Sequence, residues 1–241
     1  MSGILLVAKR DFAAYVNTLW GWLILALALV IDGLFFNAYG LTDKPRYSAE
    51  VLGAFFYVHG GVVLIAAVFV TMRLFAEERQ TGTIVLLETS PLTETQMVLG
   101  KYVSAMFFQL TLSALTLYMP LMIFVNGKVG WEEIAVGYLG CLAMGSAGVA
   151  IGTWASSLAR NQLFAGVVSA VVTVFFVACW MLAKVLDAPF KGIFSYLAIF
   201  DNHFKPFMDG RINSSGLIYM ASVTFAFLLL AQRSLSARRW E

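Results

Sequence analysis

The chain alternates between six long apolar runs and shorter polar connections. The runs span residues 19–36, 55–72, 102–125, 134–158, 163–186 and 212–231. A helix needs roughly 20 residues to cross a hydrocarbon layer of about 30 Å, and each run approaches or exceeds that length. Apolar residues are continuous in the runs and do not alternate with polar ones, which predicts helices rather than barrel strands. The predicted fold is an all-α, polytopic membrane protein with six transmembrane helices, and residues 1–241 are predicted to form one domain.

The segment before the first run predicts a helix outside the six spans. Residues 4–16 contain Lys9, Arg10 and Asp11 and lack the apolar core and cleavage site of a signal peptide. A helix here would carry an apolar face formed by Leu5, Ala8, Phe12, Tyr15 and Val16. That spacing is typical of an interfacial helix lying on the membrane surface. A continuous extension of the first span is the alternative.

The composition agrees with a membrane-embedded chain. Hydrophobic residues make up 60% of the sequence and charged residues 12%, whereas roughly a quarter of residues are charged in a soluble domain. The net charge of +2 gives no reason to expect a nucleic-acid partner. Both cysteines lie inside apolar runs and form neither a disulfide framework nor a metal-ligand spacing, so no metal site is predicted.

The distribution of basic residues favours cytoplasmic termini. Six spans place both ends of the chain on one side of the membrane. Nine of the 16 lysines and arginines fall on that side: Lys9, Arg10, Arg73, Arg79, Lys101, Arg160, Arg233, Arg238 and Arg239. The others fall opposite: Lys44, Arg46, Lys128, Lys184, Lys191, Lys205 and Arg211. Cytoplasmic loops carry the excess of basic residues, so the termini are predicted to be cytoplasmic.

The sequence carries no catalytic signature that we recognise. It contains no G-x-x-x-x-G-K-[ST] phosphate loop, no G-x-G-x-x-G, no G-x-S-x-G and no H-E-x-x-H. We therefore predict a non-enzymatic chain with no catalytic residues.

Two ionisable residues lie within the apolar runs, Asp32 in the first and His59 in the second. Each falls within about two turns of a predicted interface, which favours a snorkelling or capping role. Buried ionisable groups also mark ion pathways. An ion-coupled secondary carrier or channel that uses Asp32 and His59 is therefore the alternative function.

A polar island, residues 73–101, separates the second and third runs. Glu77, Glu78 and Arg79 continue the second span as a helix beyond the bilayer, and Gly82 then offers a break. Residues 83–88 follow as a predicted short helix with four apolar residues exposed outside the membrane: Ile84, Val85, Leu86 and Leu87. Such exposure indicates a protein partner.

A new helix is predicted to begin after this short helix and to lead into the third span. Its cap is either Ser90 with Pro91 or Thr93 with Gln96.

The polar island resembles the loop between the second and third spans of type 2 ATP-binding-cassette (ABC) exporter permeases. In that family a pattern like E-E-R-x-x-G-T, an L-L pair, S-P-L and K-Y precede the third span. This chain has Glu77-Glu78-Arg79-Gln80-Thr81-Gly82-Thr83, Leu86-Leu87, Ser90-Pro91-Leu92 and Lys101-Tyr102. The ending is similar to the branch of gliding-motility and nitrous-oxide-reductase-maturation permeases, through Asn202-His203-Phe204, Phe207, Gly210, Ile212, Tyr219 and the Arg238-Arg239-Trp240 tail.

The resemblance implies a permease subunit whose ATPase is a separate chain. That partner would bind ATP and magnesium, and this chain would bind no cofactor. In the family, this loop carries the coupling helix, which sits in a cleft of the ATPase. The implied coupling residues are Glu77, Glu78, Arg79, Gly82, Thr83, Ile84, Leu86 and Leu87. Arg160, in the second cytoplasmic connection, is either a further contact or the anchor of a tight turn.

Residues 187–215, the outer segment, predict one or two amphipathic helices at the outer interface. In the family such helices partly re-enter the bilayer and cap the outer gate. This implies a gate role for Phe194, His203, Phe204 and Phe207. His203 is interpreted as a structural residue rather than a ligand.

Family resemblance also implies partners and a location. The chain would pair with a second permease copy, with a homodimer favoured over a heterodimer, in a bacterial inner membrane. The expected conduit lies at the dimer interface, and an auxiliary periplasmic or membrane subunit is implied by the branch. Export of a substrate and movement of periplasmic partners without export share every cytoplasmic feature, and no residue pattern assigns a substrate.

Overall fold

The computed structural model describes residues 3–40 and 46–238. In those ranges the chain is built from helices and has no strand, which confirms the all-α fold. The helices are α1 Gly3–Asn17, α2 Leu19–Gly40, α3 Ser48–Thr71, α4 Ala76–Gln80, α5 Ile84–Glu88, α6 Glu94–Thr116, α7 Tyr118–Asn126, α8 Trp131–Leu158, α9 Gln162–Val185, α10 Phe190–Leu197, α11 Lys205–Met208 and α12 Ser214–Arg238. A π-helix, Ile199–Phe204, lies between α10 and α11. Lys44, Arg239 and Trp240, which enter the sequence predictions, lie outside the described residues.

Within the described residues, six helical stretches are long and apolar enough to cross a membrane. They are Leu19–Gly40, Ser48–Gln80, Glu94–Val125, Trp131–Leu158, Gln162–Val185 and Ser214–Ala237. Each predicted run overlaps one of them, which confirms a six-span, multi-pass membrane protein. The second stretch begins before the predicted residue 55 because Glu50 lies in the first turn of α3, where a carboxylate suits the positive end of the helix dipole.

The N-terminal segment folds as a separate helix, so a continuous extension of the first span is wrong. α1 ends at Asn17, and the chain turns so tightly that a Cβ at Gly21 would meet the carbonyl oxygen of Tyr15. Val7, Ala8 and Tyr15 are buried. Helix α1 packs against α6. Leu5 and Val16, predicted to belong to the apolar face, are exposed.

Helix α8 lies at the centre of the bundle and packs against α3, α6, α9 and α12. Its glycines allow close approach of α3. A Cβ at Gly137 would collide with the ring of Phe56, and one at Gly152 with Oγ1 of Thr71. Small residues at helix interfaces are the usual device for close packing in membranes. The C-terminal ends of α3 and α8 are thereby held together, which positions the polar island.

Candidate functional site

The polar island is a chain of short helices joined by tight turns. Gly82 separates α4 from α5 with φ of +75°, a conformation that favours glycine. No atom lies within 4 Å of where its Cβ would stand, so backbone conformation rather than space explains the residue. Thr93 accepts from the backbone N–H of Gln96, whose side chain caps the Thr93 N–H in return. The structure confirms that Thr93 with Gln96 caps the start of α6, and the other predicted cap, Ser90 with Pro91, is wrong.

Helix α5 presents two apolar residues, not four. Val85 and Leu86 are 57% and 73% exposed. Ile84 is partly buried against the cluster that contains Leu74 and Phe75. Leu87 is 4% exposed, so its predicted exposure is wrong. The reason is helical geometry, since residues three apart share a face and 84 and 87 both turn toward the bundle.

A buried network of charges lies beneath α4 and α5. Lys101 of α6 is 1% exposed, and its Nζ lies 3.1 Å from Oδ2 of Asp11 and 3.0 Å from Oε1 of Glu78. It also donates to the carbonyl oxygen of Leu74 and lies over the ring of Phe75. We call Arg10, Asp11, Glu78 and Lys101 the charge network. It joins α1, α4 and α6.

Arg10 completes the charge network from its exposed side. Its guanidinium donates to Asp11 and to Glu78, each at 2.8 Å. Burial lowers the pKa of Arg10, but the hydrogen bonds and negative charges of Asp11 and Glu78 outweigh burial and raise this pKa above its ordinary value. Two basic and two acidic groups therefore balance one another.

The three charged residues at the start of the island, Glu77, Glu78 and Arg79, are held by different neighbours. Glu78 belongs to the charge network, whereas Glu77 pairs with Arg73, one turn before it. Arg79 donates to the carbonyl oxygens of Ser157 at 2.6 Å and Ala159 at 3.1 Å. The physical reason is that these carbonyls, at and just beyond the C-terminus of α8, have no helical donor and attract a cation.

A serine of α8 caps the start of α4. The backbone N–H groups of Phe75 and Ala76 donate to Oγ of Ser156 at 3.0 and 3.1 Å. Together with Arg79, this contact fixes α4 against the connection between α8 and α9. Arg160 lies exposed in that connection. The structure therefore brings Arg160 to the same end of the bundle as the polar island.

A cavity of about 390 Å³ opens beside the charge network. It is lined by residues of α1, the polar island and α6, among them Arg10, Asp11, Arg73, Glu77, Glu78 and Lys101. Because the lining carries both signs of charge, its electrostatics favour neither anions nor cations.

A family model described as ABC-2 family transporter protein matches residues 36–233. The chain belongs to the ABC-2 transporter family. No curated protein matches it in sequence. The match spans the polar island, α5 and the outer segment, and membership makes the protein a membrane transport component that works with an ABC ATPase.

The outer segment of this ABC-2 permease is partly inserted into the bundle. Phe204 and Phe207 are fully buried, and Cβ atoms at Gly60 and Gly140 would collide with their side chains. His203 is buried as well, stacked on Tyr219 at 3.9 Å and hydrogen-bonded through Nε2 to the carbonyl oxygen of Tyr196. Phe194 is only partly buried. These contacts make His203 a packing residue, and the described residues contain no group of three metal-ligating side chains.

Asp32 and His59 of the permease form a hydrogen-bonded pair with each other. Nδ1 of His59 lies 2.9 Å from Oδ2 of Asp32, and both side chains are 0% exposed. The predicted snorkelling or capping role is therefore wrong, because neither head group reaches an interface. The two residues are 27 positions apart in the chain, so no local sequence pattern indicates that they pair.

Proposed function

We propose that this chain is the permease subunit of an ATP-driven ABC transporter in a bacterial inner membrane. Helix α5 is its coupling helix, which docks in a cleft of a separate ATPase subunit. The proposal rests on one observation: Val85 and Leu86 are exposed at the tip of a five-residue helix outside the apolar spans. Exposed apolar side chains in water favour burial against a partner.

The contacts of Glu78 and Arg79, which lie just before the proposed coupling helix, support its role in transmitting force. Glu78 is tied to Lys101 of α6 and Arg10 of α1, and Arg79 is tied to carbonyls at the end of α8. A displacement of α5 therefore reaches three helices through charged hydrogen bonds, which are stronger than neutral ones. Thr83, beside the break at Gly82, and Arg160, in the second connection, complete the proposed ATPase-facing surface.

The proposed assembly contains two permease copies and two ATPase subunits. ATP and magnesium bind in the ATPases, and this chain contributes no catalytic residue. The two permease copies form a homodimer with cytoplasmic termini, surrounded by lipid, and the conduit lies between them. The resemblance of the ending to gliding-motility and nitrous-oxide-reductase-maturation permeases supports the proposal that the chain belongs to that branch and works with an auxiliary outer subunit.

Movement of periplasmic partners, rather than export, is the second candidate function. Helix α10 has no buried residue, and Phe190, Ile193 and Tyr196 are exposed on it. A partner on the outer side would cover such a surface. This candidate uses the same coupling helix, so both functions share the cytoplasmic test.

The test compares the wild-type chain with a Val85→Asp/Leu86→Asp variant. Each tagged chain is purified in detergent from membranes of its native host and scored for a co-purifying ABC ATPase and vanadate-sensitive ATP hydrolysis. We expect the variant to lose at least about 90% of both, because burying two carboxylates in an apolar cleft costs several kcal/mol. Leu87→Asp is unsuitable, since Leu87 is buried within the chain itself.

A matched control adds the same charge outside α5. Pro91 and Thr95 are exposed in the same island, and Pro91→Asp/Thr95→Asp is expected to retain the ATPase. A wild-type chain that purifies without any ABC ATPase, or a Val85→Asp/Leu86→Asp variant that retains it, contradicts the proposal.

A further inference from the structure

The buried pair of Asp32 and His59 links the first two spans. Asp32 lies on α2 and His59 on α3. Oδ1 of Asp32 and Nε2 of His59 have no hydrogen-bond partner in the described part of the chain. Ionisable side chains inside a membrane are costly and are kept where they serve a function. The coupling of α5 to the bundle does not use either residue.

Among the described residues, the surroundings of the pair are aromatic and supply no second ion-pair partner. The imidazole of His59 stacks on Phe55, with centroids 5.5 Å apart, and meets the edge of Tyr138 at 5.7 Å. Tyr138 and Cys141 of α8 are the titratable groups that face the pair from the neighbouring helix. The described residues give neither Asp32 nor His59 a second ion-pair partner.

Charge balance then fixes how many protons the pair holds. With one titratable proton, the pair is neutral overall, as imidazolium with carboxylate or as imidazole with carboxylic acid. Loss of that proton leaves a net charge of −1, and a second proton gives +1. Because an uncompensated charge in an apolar site is strongly unfavourable, the neutral, one-proton form is favoured.

A narrow cleft between α2 and α3 is lined by Asp32 at one end, and His59 does not line it. Its volume is about 10 Å³, and its lining extends from Asp32 to Tyr39 and Gly40. This is close to the space that one water requires. Asp32 lies about 12 Å from Gly40 along the helix axis, at 1.5 Å per residue. The cleft therefore has room for about one water beside Asp32, and not for a continuous file of waters over those ~12 Å.

We propose that Asp32 and His59 form a proton-binding site that joins the first span to the second and releases its proton when the cleft beside Asp32 widens to admit water. The bound proton lies in the hydrogen bond between Nδ1 and Oδ2 and keeps the pair neutral. Its transfer to water breaks only that N–H or O–H bond and leaves a lone carboxylate, which favours separation of α2 from α3 and entry of water. The site depends on the permease alone and not on the proposed ATPase.

Nuclear magnetic resonance of ¹⁵N-labelled histidine tests the site, because the chain has two histidines. The full chain is placed in lipid nanodiscs and titrated between about pH 5 and 9, as wild type and as Asp32→Asn; a His203→Gln sample assigns the signals. We expect the His59 imidazole to change protonation and its midpoint to differ by at least about one pH unit, tenfold in proton affinity, between the two chains. The His203 signal serves as the internal control and is expected to stay unchanged.

Two results overturn the proposal: the same His59 midpoint with and without the carboxylate, or no protonation change of His59 in either chain. If Asp32→Asn fails to fold, the exchange variant Asp32→His/His59→Asp replaces it. That variant restores one imidazole and one carboxylate, so a wild-type-like midpoint is expected at position 32. An imidazole there that titrates as a free histidine overturns the proposal in the same way.

Discussion

Two sets of buried charges join the helices of this permease, and they differ in the number of partners per charge. At the end of the bundle that carries the polar island, Lys101 contacts Asp11, Glu78, the carbonyl oxygen of Leu74 and the ring of Phe75. Within the spans, Asp32 and His59 share one hydrogen bond, His59 also contacts the rings of Phe55 and Tyr138, and each of the two retains an unpaired polar atom in the described part of the chain.

This difference predicts that the helices around Lys101 and the helices joined by Asp32 and His59 behave differently when they move. A charge with several partners keeps most of them when one moves, so the helices around Lys101 are expected to move as one body. A joint made by one hydrogen bond opens completely when that bond breaks. The permease thus combines a multiply bonded end beside the polar island, where force from the proposed ATPase would enter, with a separable contact between its first two spans.

The first prediction removes the centre of the charge network. Lys101→Met is expected to lower the free energy of unfolding by about 3 kcal/mol, because it leaves two carboxylates with Arg10 as their remaining cation. Unfolding in mixed micelles, at increasing mole fraction of a denaturing detergent, measures the loss.

The control for Lys101→Met is Lys128→Met, at an exposed lysine in the connection after α7. Its expected change lies within about 0.5 kcal/mol of the wild type. Equal stabilities for the two variants would contradict the view that Lys101 is the centre of a cooperative network.

Sequence patterns predict the helices well because each helix is a local property. Length and continuous apolarity locate all six spans, and the Thr93 with Gln96 pattern locates the start of α6. The partners of the charges are not local. Asp11 and Lys101 are 90 residues apart, and Arg10 and Glu78 are 68 apart, and no periodicity connects positions at such separations.

The sequence predicts where helix α5 lies along the chain but not which of its side chains face the bundle. Family resemblance locates α5, yet a helix of five residues is too short for a periodic pattern to show which side faces the bundle. The structure turns Leu87 inward and leaves Val85 and Leu86 outward. Ser156 carries no sequence signal for its capping role, because its partners lie 80 and 81 residues earlier.

The second prediction removes the hydrogen bond between Asp32 and His59. Asp32→Leu is expected to cost about 1–2 kcal/mol, less than Lys101→Met, because His59 can remain as a neutral imidazole that has lost one hydrogen bond. The same detergent unfolding measures it. In a double-mutant cycle, Asp32→Leu/His59→Leu is expected to cost less than the two single changes added together. Strict additivity would show that the two residues do not stabilise one another.

The third prediction concerns the exposed edge of the charge network. The side chain of Arg10 is 52% exposed, and Lys101 continues to pair with Asp11 and Glu78 when Arg10 is removed. Arg10→Ala is therefore expected to cost at most about 1 kcal/mol, as for other solvent-accessible ion pairs. Comparing the loss at low and high salt checks the cause, because salt screens an exposed pair more than a buried one. If Arg10→Ala costs as much stability as Lys101→Met and the loss does not depend on salt, the charge network is centred on Arg10 of α1 and not on Lys101 of α6. The N-terminal helix, rather than the third span, would then hold the polar island in place.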